Sequence, residues 1–162
     1  MLVVEGRGRM DWVAQAGANL SGVASVHHMA NTPDPREFYR LARAVLVPSV
    51  WRESFGRVAA EALLNGIPVV ASDRGALPEV VGAGGVCLAL PAGLTPESRT
   101  LPSAAEVAPW AAAVARLWGD PGDYAAAGAA ALAAGQAWHP DVVVPRWEAF
   151  LAELAAAVRG PT

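Results

Sequence analysis

Short β-branched runs alternate along this chain with longer Ala- and Leu-rich segments, and that order restricts it to an α/β fold: a Rossmann-like parallel sheet flanked by helices. Residues 2–4 read as a strand stopped by Gly6-Arg7-Gly8, a short helix is expected over 11–16 before Gly17, and 23–29 read as a second strand. The turn at 31–35 hands over to a helix at 36–42, with Asp34 as N-cap and Pro35 in the first helical position. Residues 44–47 form a buried strand stopped by Pro48-Ser49. A helix over 56–64 runs to Asn65-Gly66, a left-handed stop signal, and Pro68 opens a strand at 69–72. A loop over 73–78 leads to a short helix beginning near Glu79, and 86–90 form the last strand. Three prolines make 91–102 an irregular surface loop. Beyond it, Ala-rich helices are expected at 104–118 and 124–138, and an amphipathic one at 145–159. The organisation expected is one domain over all 162 residues, an α/β core at 1–90 followed by a loop and helical tail at 91–162.

Composition removes whole classes of chemistry. All twelve basic residues are Arg, so a Walker-type phosphate lysine, a Schiff base and a lysine general base are excluded. A net charge of -3 with scattered arginines argues against nucleic acid as a partner. No apolar run reaches the roughly 18 residues of a membrane span. The apolar start at 1–4 meets Glu5 and Arg7 at once, so no secretory signal is expected and a cytoplasmic location is. Cys87, the one cysteine, lies in an apolar strand-like run and reads as a buried thiol. His27 and His28 have no carboxylate at ligand spacing and His139 is far off in the tail, so no metal site is expected. Gly6-Arg7-Gly8 starts like a dinucleotide fingerprint, yet Asp11 stands where the third glycine belongs, and the segment reads as a turn.

The stretch that carries chemistry is 45–79, VLVPSVWRESFGRVAAEALLNGIPVVASDRGALPE. It is a strand, a loop with a carboxylate at Glu53, a helix starting at Phe55-Gly56, and a second carboxylate at Glu61 within that helix. A helix N-terminus offers backbone N–H groups and the positive end of the dipole, which suits a diphosphate, and Gly56 allows close approach. A carboxylate accepts paired hydrogen bonds from neighbouring sugar hydroxyls. Glu53 and Glu61 together are suited to grip two sugars on either side of a diphosphate. The bland alternatives are a solvated loop carboxylate for Glu53 and an outer-face carboxylate for Glu61. Arg57 and Arg74 read equally as phosphate ligands or as surface ion pairs, and among the six tryptophans Trp51, two residues before Glu53, is the candidate for shaping the site.

The ordered string Pro48-Ser49, Glu53, Phe55-Gly56, Glu61-Ala62, Asn65-Gly66-Ile67-Pro68-Val69-Val70 and Leu77-Pro78-Glu79 resembles the retaining nucleotide-sugar glycosyltransferases of family 4, in the C-terminal donor-binding domain of their GT-B fold. Glu53 and Glu61 form the E-x7-E motif of that family. The resemblance implies that Glu53 is the catalytic-site carboxylate contacting donor-sugar hydroxyls, that the amides of Ser54, Phe55, Gly56 and Arg57 meet the sugar and diphosphate, and that Glu61 binds the ribose. His28 and Met29 either line the base pocket, as the loop at that place does in the family, or end a packed strand. The implied activity is hexosyl transfer from a nucleoside-diphosphate sugar to an acceptor with retention at the anomeric carbon, with no cofactor and no metal. The chain departs from the family in having Gly75-Ala76 where a Gly-Gly pair is usual. The resemblance further implies an earlier strand with a basic loop and an N-terminal acceptor domain before Met1. The expectation is therefore a fragment, inactive alone, whose sheet and cleft the missing N-terminal domain or another chain completes. The alternative of a different class is a non-catalytic nucleotide-binding or assembly module on the same fold.

Overall fold

The structure, a computed structural model, describes residues 2–4, 27–29 and 33–159. Two compact units divide the chain, Met1–Ala42 and Arg43–Thr162, so the division falls inside the stretch expected as the α/β core.

In the first unit β1 (Leu2–Val4) pairs in parallel with β2 (His27–Met29), Leu2 opposite His27 and Val4 opposite Met29. The helix expected at 11–16 and the start of the second strand lie outside the described residues. Helix α1 (Arg36–Leu41) follows. Asp34 takes its first amide, Arg36 N to Oδ1 at 3.1 Å, and also holds the Arg36 guanidinium at 2.7 and 2.8 Å, which keeps the Asp34 carboxyl below the usual carboxylate range.

The second unit is built on a parallel sheet of order β3 (Val45–Val47), β4 (Val69–Ser72), β5 (Gly85–Leu88). Val45 pairs with Val69 and Val69 with Gly85. All four residues of the central strand β4 are buried, as a strand covered on both faces must be. Val70 joins Trp110 and Leu117 of α4 (Ala104–Gly119) in one cluster, and α2 (Arg57–Leu64) and α3 (Leu77–Val81) also pack on β4. Helix α3 starts at Leu77, two residues before the expected start, because Pro78 is accommodated in its first turn. The last strand is shorter than expected and ends at Leu88. Cys87 on it is half-buried; partial burial, aided by the charge of Asp73, pushes its thiol pKa up.

The tail is three helices, and two of them begin before their expected starts. Ser103 and Glu106 form a reciprocal cap at the start of α4, and the Ser103 hydroxyl and amide hold the Glu106 carboxyl below its ordinary value. Helix α5 (Pro121–Gly135) opens three residues early because Asp120 Oδ1 accepts from Gly122 N at 2.6 Å and Asp123 N at 3.1 Å with Pro121 in the first turn. Its small residues let it lie close against α2: a Cβ on Gly135 would stand 2.6 Å from the Leu63 backbone. A single 3-10 turn, Gln136–Trp138, leads to α6 (Pro140–Arg159), so the helix expected from Pro145 opens at Pro140 and carries Pro145 inside. No described helix is long and apolar enough to cross a membrane.

Candidate functional site

The three strands end on the same side because they are parallel, and the loops leaving β3 and β4 meet there. Pro48 and Ser49 stop β3, and the chain crosses loop 48–56 to reach α2. Ser72, the last residue of β4 and fully buried, donates its hydroxyl to the Ser49 carbonyl at 2.7 Å. The Ser49 hydroxyl in turn donates to Glu53 Oε1 at 2.5 Å, and the Trp51 indole N–H donates to the same oxygen at 3.1 Å. Among the described residues nothing hydrogen-bonds Oε2.

The backbone of Glu53 is fixed as well. It bridges to Gly75 in the β4–α3 loop, and Ala76 N donates to the Glu53 carbonyl at 2.9 Å. Gly75 has φ +65°, and a Cβ there would collide with the Glu53 backbone. The Gly75-Ala76 pair that departs from the family pattern is therefore occupied in holding Glu53, with glycine required only at the first position.

Gly56 stands at the N-cap of α2 with φ +94°, where its carbonyl accepts from Ala59 N at 2.9 Å and Ala60 N at 3.2 Å. It is buried, and a Cβ would lie 2.6 Å from Leu77 Cδ2, so its glycine serves backbone conformation and the fit of α3. Among the described residues no side chain caps Gly56, and the first turn of α2 holds no acid of its own. Ser54 beside it is exposed. Phe55 packs edge to face on Trp138 with ring centroids 5.1 Å apart, and the Trp138 indole donates to the Val80 carbonyl at 3.0 Å.

Glu61 lies one turn further along α2, and Arg57 Nε approaches its Oε1 to 3.3 Å. The Arg57 side chain is 85% exposed and that of Glu61 33%. Arg74 meets Asp73 only at 3.9 Å, and its enclosed Nε has no hydrogen-bond partner among the described residues. Among the described residues no group of three or more His, Cys, Asp or Glu is placed to hold a metal ion. His28 and Met29 are backbone positions of β2 in the first unit.

The fold thus gathers Glu53, Ser54, Phe55, Gly56, Arg57 and Glu61 in one strand-end and helix-start region. Three contributors escape a reading of the sequence: Ser49 and Ser72, whose hydroxyls act through the path of a loop, and Trp138, which comes from the tail. Only the closeness of Ser49 and Trp51 to Glu53 in the sequence hints at the first of these.

A family model described as glycosyl transferases group 1 matches residues 1–120. The MMP alpha-(1->4)-mannosyltransferase of Mycolicibacterium hassiacum is 39% identical over 72 residues, which are 43% of this chain and 17% of that protein. Sucrose-phosphate synthase from Thermosynechococcus elongatus superposes with a TM-score of 0.72 at 23% identity, over 96% of this chain and 38% of that one. HepE of Anabaena, solved in complex with UDP-glucose, superposes with a TM-score of 0.70 at 24% identity, over 96% of this chain and 40% of the other. The two structural likenesses are of fold. The chain spans well under half the length of each of these proteins.

Proposed function

The chain belongs to the group 1 glycosyl transferases, with the Rossmann-like fold of a GT-B domain, and on that premise we propose that it binds the nucleoside-diphosphate sugar donor of a sugar transfer that retains anomeric configuration. The observation that carries the reading is Glu53: a carboxylate held at one oxygen, without a hydrogen bond from the described residues at the other, and three residues before Gly56 at the start of α2. In this reading Glu53 accepts from a donor-sugar hydroxyl. The amides of Ser54, Phe55, Gly56 and Arg57 face the sugar and diphosphate, and Glu61, held by Arg57, accepts from the ribose hydroxyls. Negative charge that builds on the departing diphosphate is met by the α2 dipole, a fixed donor array that needs no rearrangement and no metal. That HepE was solved with UDP-glucose makes UDP the first nucleotide to try.

Titration calorimetry with UDP, and with GDP, ADP and TDP beside it, tests the reading. One nucleotide should bind, and Glu61→Ala should weaken it by roughly 10- to 100-fold, the loss of one or two hydrogen bonds to a charged group. The ion pair to the exposed Arg57 is itself worth little, and an unfolding midpoint measured on the same variant separates lost affinity from lost stability. An unchanged dissociation constant in the variant would remove Glu61 from the ribose.

A further inference from the structure

We infer that Ser49 and Trp51 are positioning residues for Glu53, and that they confine recognition of the donor sugar to its Oε2 oxygen; the inference rests on the donor-site reading above. A carboxylate oxygen offers two lone-pair directions. Both directions at Oε1 are taken, one by the Ser49 hydroxyl at 2.5 Å and one by the Trp51 indole at 3.1 Å. The shorter contact has the length of a charge-assisted O–H···O⁻ bond, about twice as strong as a neutral one.

The clamp does not itself float. Ser49 is anchored through its carbonyl to the fully buried Ser72, at the end of the strand buried along its whole length. The Glu53 backbone is tied to Gly75 and Ala76 from the opposite loop. Main chain and carboxylate are thus fixed from different sides, and the rotation that would exchange Oε1 for Oε2 requires both clamp bonds to break. A glutamate left free would lose its rotamer freedom on meeting the sugar, and this one has lost it on folding. Trp51, 61% exposed, is not a core residue, so its indole bond to Glu53 is not a by-product of burial.

The role differs from structural support in what it changes: aim at the sugar, with the nucleotide end untouched. The test is calorimetry on the whole 162-residue chain with UDP, UDP-glucose, GDP and GDP-mannose, for the wild type, Ser49→Ala, Ser49→Thr and Trp51→Phe. The expected wild type binds one nucleotide sugar more tightly than its nucleotide. Ser49→Ala and Trp51→Phe should keep nucleotide affinity within about twofold while the extra affinity for the sugar form falls by about tenfold, the worth of one hydrogen bond to a charged group. Ser49→Thr, which keeps the hydroxyl, should restore it. Sugar preference unchanged in both Ser49→Ala and Trp51→Phe would overturn the inference, as would equal losses with and without the sugar, which mark a merely structural role. A wild type that binds nucleotides without any sugar preference overturns the inference and leaves the nucleotide reading standing. Failure of UDP, GDP and both nucleotide sugars to bind overturns the inference, and failure of ADP and TDP beside them overturns the donor-site reading as well.

Discussion

Position 75 shows how much a single missing methyl decides. Its backbone occupies the left-handed region, and its Cα faces the Glu53 backbone with no room for a side chain. Gly82 has φ +49° with open space around it, so it carries the conformational demand without the close approach. Gly75→Ala should therefore cost about 2 to 5 kcal/mol, strain plus overpacking, and Gly82→Ala about 1 to 2 kcal/mol, strain alone. Chemical denaturation of the two variants separates the terms, and equal costs would mean that the Glu53 loop yields freely. At this scale the sequence is legible in its chemistry and silent on direction. Glu53 and Glu61 stand out by spacing and by the string around them, whereas Gly75 reads only as a loop glycine. Its partner is 22 residues away, and no local rule links them. The bonds from Ser49 and Trp51 to one oxygen depend on the path of a loop, which propensity does not encode.

Among the elements, the β3–α2–β4 core and the stop at Asn65-Gly66 are legible because periodicity, proline and glycine agree there. The tail is less so. Asp120-Pro121 is a complete helix-start signal, but in an Ala-rich run the first bulky residue, Tyr124, draws the boundary inward. Pro145 looks like a helix opening, although Pro140 does that work and the helix continues through 145. The consequential element is the one-turn link Gln136–Trp138, which places an indole on Phe55 and on the Val80 carbonyl. Trp138→Ala should cost about 3 kcal/mol, a hydrogen bond, an aromatic pair and part of a side-chain burial together. With Phe55 released, nucleotide affinity should fall as well. Trp138→Phe, which keeps the ring contact and loses the bond to Val80, should lie between. An unfolding midpoint unchanged in Trp138→Ala would show that the tail does not brace the donor loop.

Over the whole molecule, the tightly packed part is the β4-centred sheet with its helices, and α6 is its opposite. Trp147, Phe150, Leu151, Leu154 and Val158 recur at helical spacing, and each is at least half exposed. Such a stripe on a folded chain should bind an apolar dye and promote association at high concentration. Phe150→Glu with Leu154→Glu should lower both, read by dye fluorescence and light scattering, and leave nucleotide affinity unchanged because the stripe lies outside the donor loop. Dye binding that survives the double substitution would place the exposed apolar surface elsewhere. The same helix has a mechanical meaning. Twenty residues make a rod about 30 Å long, and its packing on the described elements is concentrated at the turn that carries Trp138. Its base adjoins the turn whose indole packs on Phe55, so a substitution that shifts the first turn of this rod bears on the residue that steadies the start of α2.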